Sequence, residues 1–115
     1  MRYFDLKVKE MKEKEKVIKN LDSYLKKIKR AAKKELKDAE LYLFGSILTK
    51  KFSPRSDIDV AIVSDSFKND LNSRARILTK IKKKIDFNPW FEIHLLNRKD
   101  FEFYRRFIKN RLKRI

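Results

Sequence analysis

The chain has 115 residues, of which 42% are hydrophobic and 42% are charged, a size that suits one globular domain with a modest core. It contains no cysteine, which excludes disulfides and thiolate metal sites. No apolar run is long enough for a membrane span, and none is flanked as a signal peptide is. We therefore predict a single domain over residues 1–115 and a cytoplasmic location.

The net charge of +16 results from 32 Lys and Arg against 16 Asp and Glu, and it has two interpretations. Such an excess attracts polyanionic partners, namely nucleic acid, nucleotide phosphates or an acidic protein. A surface rich in lysine and glutamate without cysteine is also typical of thermophilic proteins. Composition alone leaves both interpretations open.

The first half of the chain predicts helix, then strand, then loop. From about Leu6 to Leu36, apolar residues recur at intervals of three and four, which predicts one amphipathic helix or two in succession. A short strand over Leu41–Phe44 follows and ends at Gly45, the only glycine. The polar segment Ile47–Ser56 predicts a helical turn and a loop.

The second half predicts two more strands separated by a helix. Asp57–Val63 is a β-branched run of strand length. Ser66 is a plausible N-cap for a helix whose apolar positions extend to Ile85. Trp90–Leu96 then predicts a third strand.

A last helix is predicted to follow Asn97, because Asn97 and Asp100 resemble a capping box. Its inward-facing residues are predicted to be Phe101, Tyr104, Phe107, Ile108, Leu112 and Ile115. The predicted order is therefore α-β-β-α-β-α. It indicates an α/β (α+β) fold in which helices cover a small mixed sheet of three to four strands.

The acidic pair Asp57 and Asp59 has the spacing that places both side chains on one face of a strand, about 7 Å apart. Two carboxylates repel each other, and a divalent cation relieves the repulsion. Oxygen ligands of this kind favour Mg²⁺ or Mn²⁺. The alternative is that Asp57 belongs to a strand-entry turn and that Asp59 is solvated at a sheet edge.

The third predicted strand carries another acid, Glu92, on the same face as His94. If this strand pairs beside the aspartates, Glu92 completes a site of three carboxylates, as a metal ligand, as a general base for an incoming hydroxyl, or as both. An edge glutamate facing solvent is the alternative. His94 is the only histidine, and we predict a structural role for it.

Gly45 and Ser46 are the candidate phosphate-binding residues. A strand that ends in glycine and opens into a helical turn presents backbone N–H groups to phosphate oxygens, and the Ser46 hydroxyl is a further donor. Lys50, Lys51 and Arg55 follow on the loop and are candidates to neutralise a triphosphate. Each of these three is also compatible with a solvated surface position.

The arrangement Gly45-Ser46, ten residues, then Asp57-x-Asp59, with Glu92 in a later strand, resembles the signature of the nucleotidyltransferase (DNA polymerase β-like) superfamily. The size of the chain resembles its minimal branch. The resemblance implies a palm-like domain that transfers a nucleoside monophosphate from a nucleoside triphosphate, with ATP the expected substrate, to a hydroxyl.

The resemblance also implies roles for single residues. Asp57 and Asp59 would bind Mg²⁺ and the triphosphate, and Glu92 would bind a second metal and assist deprotonation of the acceptor. Gly45 and Ser46 would hold the β- and γ-phosphates.

The minimal branch is frequently encoded beside a HEPN-type helical protein, often a toxin, which implies an antitoxin role by complex formation or by adenylylation. A non-catalytic interaction module, either an antitoxin or a nucleic-acid binder, is the alternative function. A homo-oligomer also stays possible.

Overall fold

The computed structural model describes residues 2–49, 53, 55–108 and 111–115. Two successive helices open the chain, α1 (Tyr3–Lys19) and α2 (Leu21–Glu35), which confirms the second form of the prediction for the N-terminal segment. Within the described ranges, no helix has both the length and the apolar character needed to cross a membrane.

The sheet has four strands: β1 (Glu40–Phe44), β2 (Ile58–Val63), β3 (Phe91–Leu96) and β4 (Leu112–Arg114). Their spatial order is β3-β2-β1-β4. β1 is antiparallel to both β2 and β4, whereas β2 and β3 are parallel. The predicted α+β class with a small mixed sheet is confirmed.

One face of the sheet forms the core under the first three helices. Alternation along β2 places Ile58, Val60 and Ile62 on this face, where each is 0% exposed. They pack in one cluster with residues such as Ile28 of α2 and Ile81 of α3, the latter helix spanning Leu71–Lys83. The other face of β2 therefore carries Asp59.

That second face is covered at one end by α4 (Arg98–Ile108). Phe101 of α4 is 4% exposed, and its ring stacks on Tyr42 of β1 with 4.5 Å between ring centroids. Glu92, at the end of the face where β3 begins, has a side chain that is 55% exposed. The helix thus leaves the acidic end of this face accessible.

The predicted N-cap of α3 is wrong. Ser66 lies before the helix, and its N–H donates to the Ser64 hydroxyl. Asp70 caps α3 instead, because its carboxylate accepts the Ser73 N–H at 2.8 Å and the Ser73 hydroxyl at 2.9 Å. A helix N-terminus leaves N–H groups without intrahelical partners, and an aspartate at this position satisfies one of them.

The start of the last helix agrees with the predicted capping box. The Asn97 side-chain oxygen accepts the Asp100 N–H at 2.8 Å, and the N–H of Phe101 bonds to the Asn97 carbonyl at 3.0 Å. The prediction that this helix continues inward to Ile115 is wrong, since α4 ends at Ile108.

Beyond α4 the chain returns to the sheet as β4, so the observed order is α-α-β-β-α-β-α-β. β4 pairs with the edge of β1 that would otherwise be open. A continued helix would leave the backbone groups of that edge without partners. Tyr104 and Phe107, predicted to face inward, are 45% and 70% exposed.

Candidate active site

The register between β2 and β3 sets Asp59 directly beside Glu92. Paired residues of neighbouring strands point to the same face, and so does His94, two residues after Glu92. One ligand atom from each of the three side chains lies within 4.8 Å of the other two. The structure therefore brings together two acids that sequence reasoning selected and a histidine to which it gave a structural role.

Within this Asp59–Glu92–His94 cluster, the imidazole stands between the two carboxylates. His94 Nε2 lies 3.3 Å from Asp59 Oδ1 and 3.8 Å from Glu92 Oε1. The ring packs against Phe44 with 5.1 Å between ring centroids. The His94 and Asp59 side chains are 27% and 23% exposed against 55% for Glu92, so Glu92 is the most accessible of the three to an incoming molecule.

Gly45 lies against the carboxylate of Asp59, since β1 ends at Phe44, the partner of Asp59 in the register. Gly45 has φ of +86°, and a Cβ added there would stand 2.7 Å from Asp59 Oδ2, closer than real Cβ contacts. The backbone conformation at this position favours glycine, and any side chain there would require the Asp59 carboxylate to move.

The expectation that the Gly45 N–H is available to a phosphate is wrong for the structure as it stands. This N–H donates to the carbonyl of Arg111, just before β4, at 3.1 Å. Gly45 and Ser46 open a 3₁₀ turn over Gly45–Leu48, as the sequence predicted. The phosphate-binding role of Ser46 stays a prediction.

Asp57 lies outside the Asp59–Glu92–His94 cluster. It precedes β2 and is exposed, and its negative charge acts on Lys14 of α1. The pKa of Lys14 is lowered from its usual value, mainly because burial disfavours the charged form, while Asp57 partly offsets the decrease. The predicted pairing of both aspartates in one site is not seen among the contacts described.

Lys14 is the residue near the site that sequence reasoning missed. It is 2% exposed, its ammonium donates to the carbonyls of Ser53 (3.3 Å) and Ser56, and it lies 5.2 Å from the centre of the Trp90 ring. Lys14 thereby fastens the segment before Asp57 to α1. The sequence contains a signal for this burial, because Lys14 lies three residues before Val17 and so falls within the apolar stripe of α1.

The remaining candidates for triphosphate binding lie on the loop before β2. Arg55 is exposed and lines a cavity of about 650 Å³ together with Trp90 and residues of α1. Lys50 and Lys51 lie outside the described residues. The loop basic residues thus stay candidates.

Comparison with known proteins assigns the chain to a family. A model of the nucleotidyltransferase domain matches residues 25–114. The chain belongs to the nucleotidyltransferase family. The predicted resemblance is thereby confirmed.

Two solved structures are similar to this nucleotidyltransferase domain. One, a crystal structure of a protein provisionally classed as a nucleotidyltransferase, is 43% identical, with a TM-score of 0.66, and the match covers 79% of this chain and 96% of that one. The other, from Sulfolobus solfataricus and classed in the same provisional way, is 15% identical, with a TM-score of 0.61 and coverage of 94% and 84%. The second likeness shows the fold alone. No curated protein matches the chain.

The cluster of this nucleotidyltransferase domain fits a divalent cation by its donor set. Two carboxylates and an imidazole offer ligand atoms within 4.8 Å of one another. Neighbouring ligands of one ion are typically about 3 Å apart, given metal–ligand distances of about 2.0–2.2 Å. The 3.3 Å and 3.8 Å separations of the cluster approach that spacing.

Proposed function

We propose that the protein transfers a nucleoside monophosphate, AMP from ATP, to a hydroxyl group on a protein or nucleic acid in a reaction that depends on Mg²⁺ or Mn²⁺. The observation that carries the proposal is the in-register pairing of Asp59 with Glu92 on the accessible end of the sheet in a nucleotidyltransferase domain. We also propose that residues 1–115 act as one domain in the cytoplasm, where ATP is available.

Asp57, Asp59 and Glu92 are the proposed metal-binding acids. A bound divalent cation supplies charge neutralisation of the triphosphate and lowers the pKa of the acceptor hydroxyl. Asp59 lies on β2, where Gly45 leaves room for its carboxylate, whereas Asp57 stands on the segment fastened by Lys14. The position of Asp57 therefore depends on a tether outside the sheet.

The proposed reaction balances as a single displacement. The acceptor oxygen forms a bond to the α-phosphorus of ATP, the bond from that phosphorus to the α–β bridging oxygen breaks, and pyrophosphate leaves. Glu92, with its half-exposed side chain, accepts the proton of the acceptor hydroxyl. Ser46, together with Lys50, Lys51 and Arg55, is proposed to bind the β- and γ-phosphates.

Transfer of label from α-³²P-ATP tests the proposal, with an RNA pool and small helical proteins offered as acceptors in the presence of Mg²⁺ or Mn²⁺. We expect Asp59→Asn and Glu92→Gln to lower the rate about 100-fold or more, with a parallel loss of Mg-ATP affinity for Asp59→Asn in calorimetry.

The matched control is Asp22→Asn, which removes the same charge from an exposed position on α2 and should leave transfer unchanged. Wild-type protein that transfers no label to any acceptor and binds Mg-ATP no better than Asp59→Asn would overturn the proposal.

A second candidate function, a non-catalytic interaction module, is favoured by the exposed face of α4. Phe103 and Phe107 are 60% and 70% exposed, and their rings meet edge to face with 5.2 Å between centroids. Exposed aromatic side chains on a basic helix are typical of surfaces that bind a partner. A HEPN-type helical protein is the partner proposed here, and nucleic acid is the alternative.

Nucleotidyl transfer and partner binding can be distinguished, because they require different residues. The interaction module predicts that Phe103→Ser with Phe107→Ser abolishes partner binding, whereas Asp59→Asn retains it. If nucleic acid is the partner, its affinity falls steeply with salt. If the double serine variant still binds the partner, the exposed face of α4 is not the binding surface.

A further inference from the structure

We propose that His94 is itself a metal ligand, and that the Asp59–Glu92–His94 cluster therefore prefers a first-row transition ion such as Mn²⁺ over Mg²⁺. This inference rests on the proposed function, because it specifies the metal of the same site. The sequence pattern predicts only a structural role for His94, and the imidazole enters the site through the pairing of β2 with β3.

The imidazole lies close to both acids, at separations that approach those between ligands of one ion. His94 Nε2 is 3.3 Å from Asp59 Oδ1 and 3.8 Å from Glu92 Oε1. Asp57, which the acidic pair suggested as a ligand, is absent from this group of ligand atoms, among the residues that the structure describes. The three donors that converge are thus two carboxylate oxygens and one nitrogen.

Two neighbouring residues shape the cluster before any metal binds. The His94 ring packs on Phe44, which limits its rotation. Asp59 occupies the space that a side chain at Gly45 would fill, 2.7 Å from the position of the missing Cβ. Phe44 ends β1 and Gly45 opens the turn that follows it, so a segment distinct from the ligand-bearing strands shapes the cluster.

The donor set determines which ions suit it. Mg²⁺ binds oxygen ligands and keeps several waters, whereas imidazole nitrogen suits transition ions. Mn²⁺ accepts carboxylates and, as a transition ion, binds imidazole nitrogen more readily than Mg²⁺ does, so a mixed set of two carboxylates and one imidazole favours Mn²⁺ over Mg²⁺ while still serving a triphosphate substrate. The competing role for His94 is a hydrogen bond between Nε2 and Asp59 Oδ1, without contact to a metal.

Electron spin echo envelope modulation of Mn²⁺ bound to the whole protein tests the proposal directly, without nucleotide. His94 is the only histidine, so protein labelled with ¹⁵N at histidine alone assigns any imidazole signal. We expect nitrogen modulation that changes from the ¹⁴N to the ¹⁵N pattern in the labelled protein. This measurement needs no variant and so does not depend on whether a variant folds.

Calorimetry with His94→Asn supplies the second readout. We expect Mn²⁺ affinity to fall about 10- to 100-fold, and Mg²⁺ affinity to change about twofold or less, since Mg²⁺ favours oxygen ligands. Mn²⁺ that binds without histidine modulation, and equally well to His94→Asn, would overturn this inference and leave the proposed nucleotidyl transfer intact. Failure of Mn²⁺ and Mg²⁺ to bind wild type, with or without ATP, would overturn both.

Discussion

Gly45 illustrates at the scale of one residue how a backbone position and a functional side chain constrain each other. Positive φ alone does not demand glycine in this chain, because Asp86 and Phe87 both adopt φ of 53°. At Gly45 φ is +86°, and the carboxylate of Asp59 occupies the place of a Cβ. The turn thus favours glycine through its φ angle, and a larger residue would also have to displace the carboxylate of Asp59.

We expect Gly45→Ala to lower both stability and Mg-ATP affinity. The backbone strain costs on the order of 1–2 kcal/mol, and the new methyl group displaces the Asp59 carboxylate from the cluster. Urea unfolding measures the first effect and calorimetry with Mg-ATP the second.

A double-mutant cycle isolates the contact with Asp59 from the strain. In an Asp59→Ala background the carboxylate is gone, so Gly45→Ala should cost less free energy of unfolding than it does in wild type. An equal cost in the two backgrounds would show that only the φ angle demands glycine, and that the carboxylate accommodates a methyl group.

At the scale of elements, the position of α1 is coupled to the segment that precedes β2. The ammonium of the buried Lys14 donates to the carbonyls of Ser53 and Ser56, four residues and one residue before Asp57. A charged donor lost from such a contact costs about 1.5–3 kcal/mol. α1 therefore contributes to the placement of Asp57, although the two are distant in sequence.

We expect Lys14→Met to keep the fold but lower its stability by about 1–3 kcal/mol, because the methionine retains apolar packing and loses the donor. Mg-ATP affinity should fall as well, since the segment bearing Asp57 loses its tether to α1. Chemical unfolding and calorimetry are the measurements.

Lys12→Met provides the matched control, because Lys12 is exposed on the same helix and its loss removes the same charge. If both variants lowered Mg-ATP affinity equally, the effect would be one of net charge, and the tether would have no part in positioning Asp57.

The elements themselves were predictable to different degrees, for physical reasons. The strand β2 follows from a run of β-branched residues and the start of α4 from the Asn97 cap, both local signals. The sequence pattern does not distinguish Asp70, the observed cap of α3, from Ser66, since both residue types cap helices equally well. The strand β4 has no such signal, because its residues continue a helical pattern and become a strand only by pairing with β1.

For the whole molecule, the excess of 16 positive charges is a source of self-repulsion in the compact state. The ion pairs described are surface contacts, such as Lys7 with Glu10 and Arg98 with Glu40, and pairs of this kind contribute roughly 0–1 kcal/mol. They do not offset the repulsion of the excess charge.

We expect the melting temperature to rise by a few degrees between about 10 mM and about 150 mM NaCl, as the Debye length falls from about 30 Å to about 8 Å. Differential scanning calorimetry measures the shift. The control is sucrose, added at low ionic strength to separate solvent exclusion from screening. A melting temperature that falls with NaCl would indicate that attractive pairs outweigh the net repulsion.

The sequence by itself determined the α+β class, three of the four strands, and the identity of the family, because period-two alternation, β-branched runs and the Gly45-Ser46 and Asp57-x-Asp59 spacing are all local properties of the chain. It also selected Asp59 and Glu92. Only the tertiary structure decided that these two lie side by side, that His94 joins them while Asp57 lies outside the cluster, and that Gly45 gives room to Asp59. Those outcomes depend on strand register and on contacts between residues distant in sequence, which no local pattern encodes.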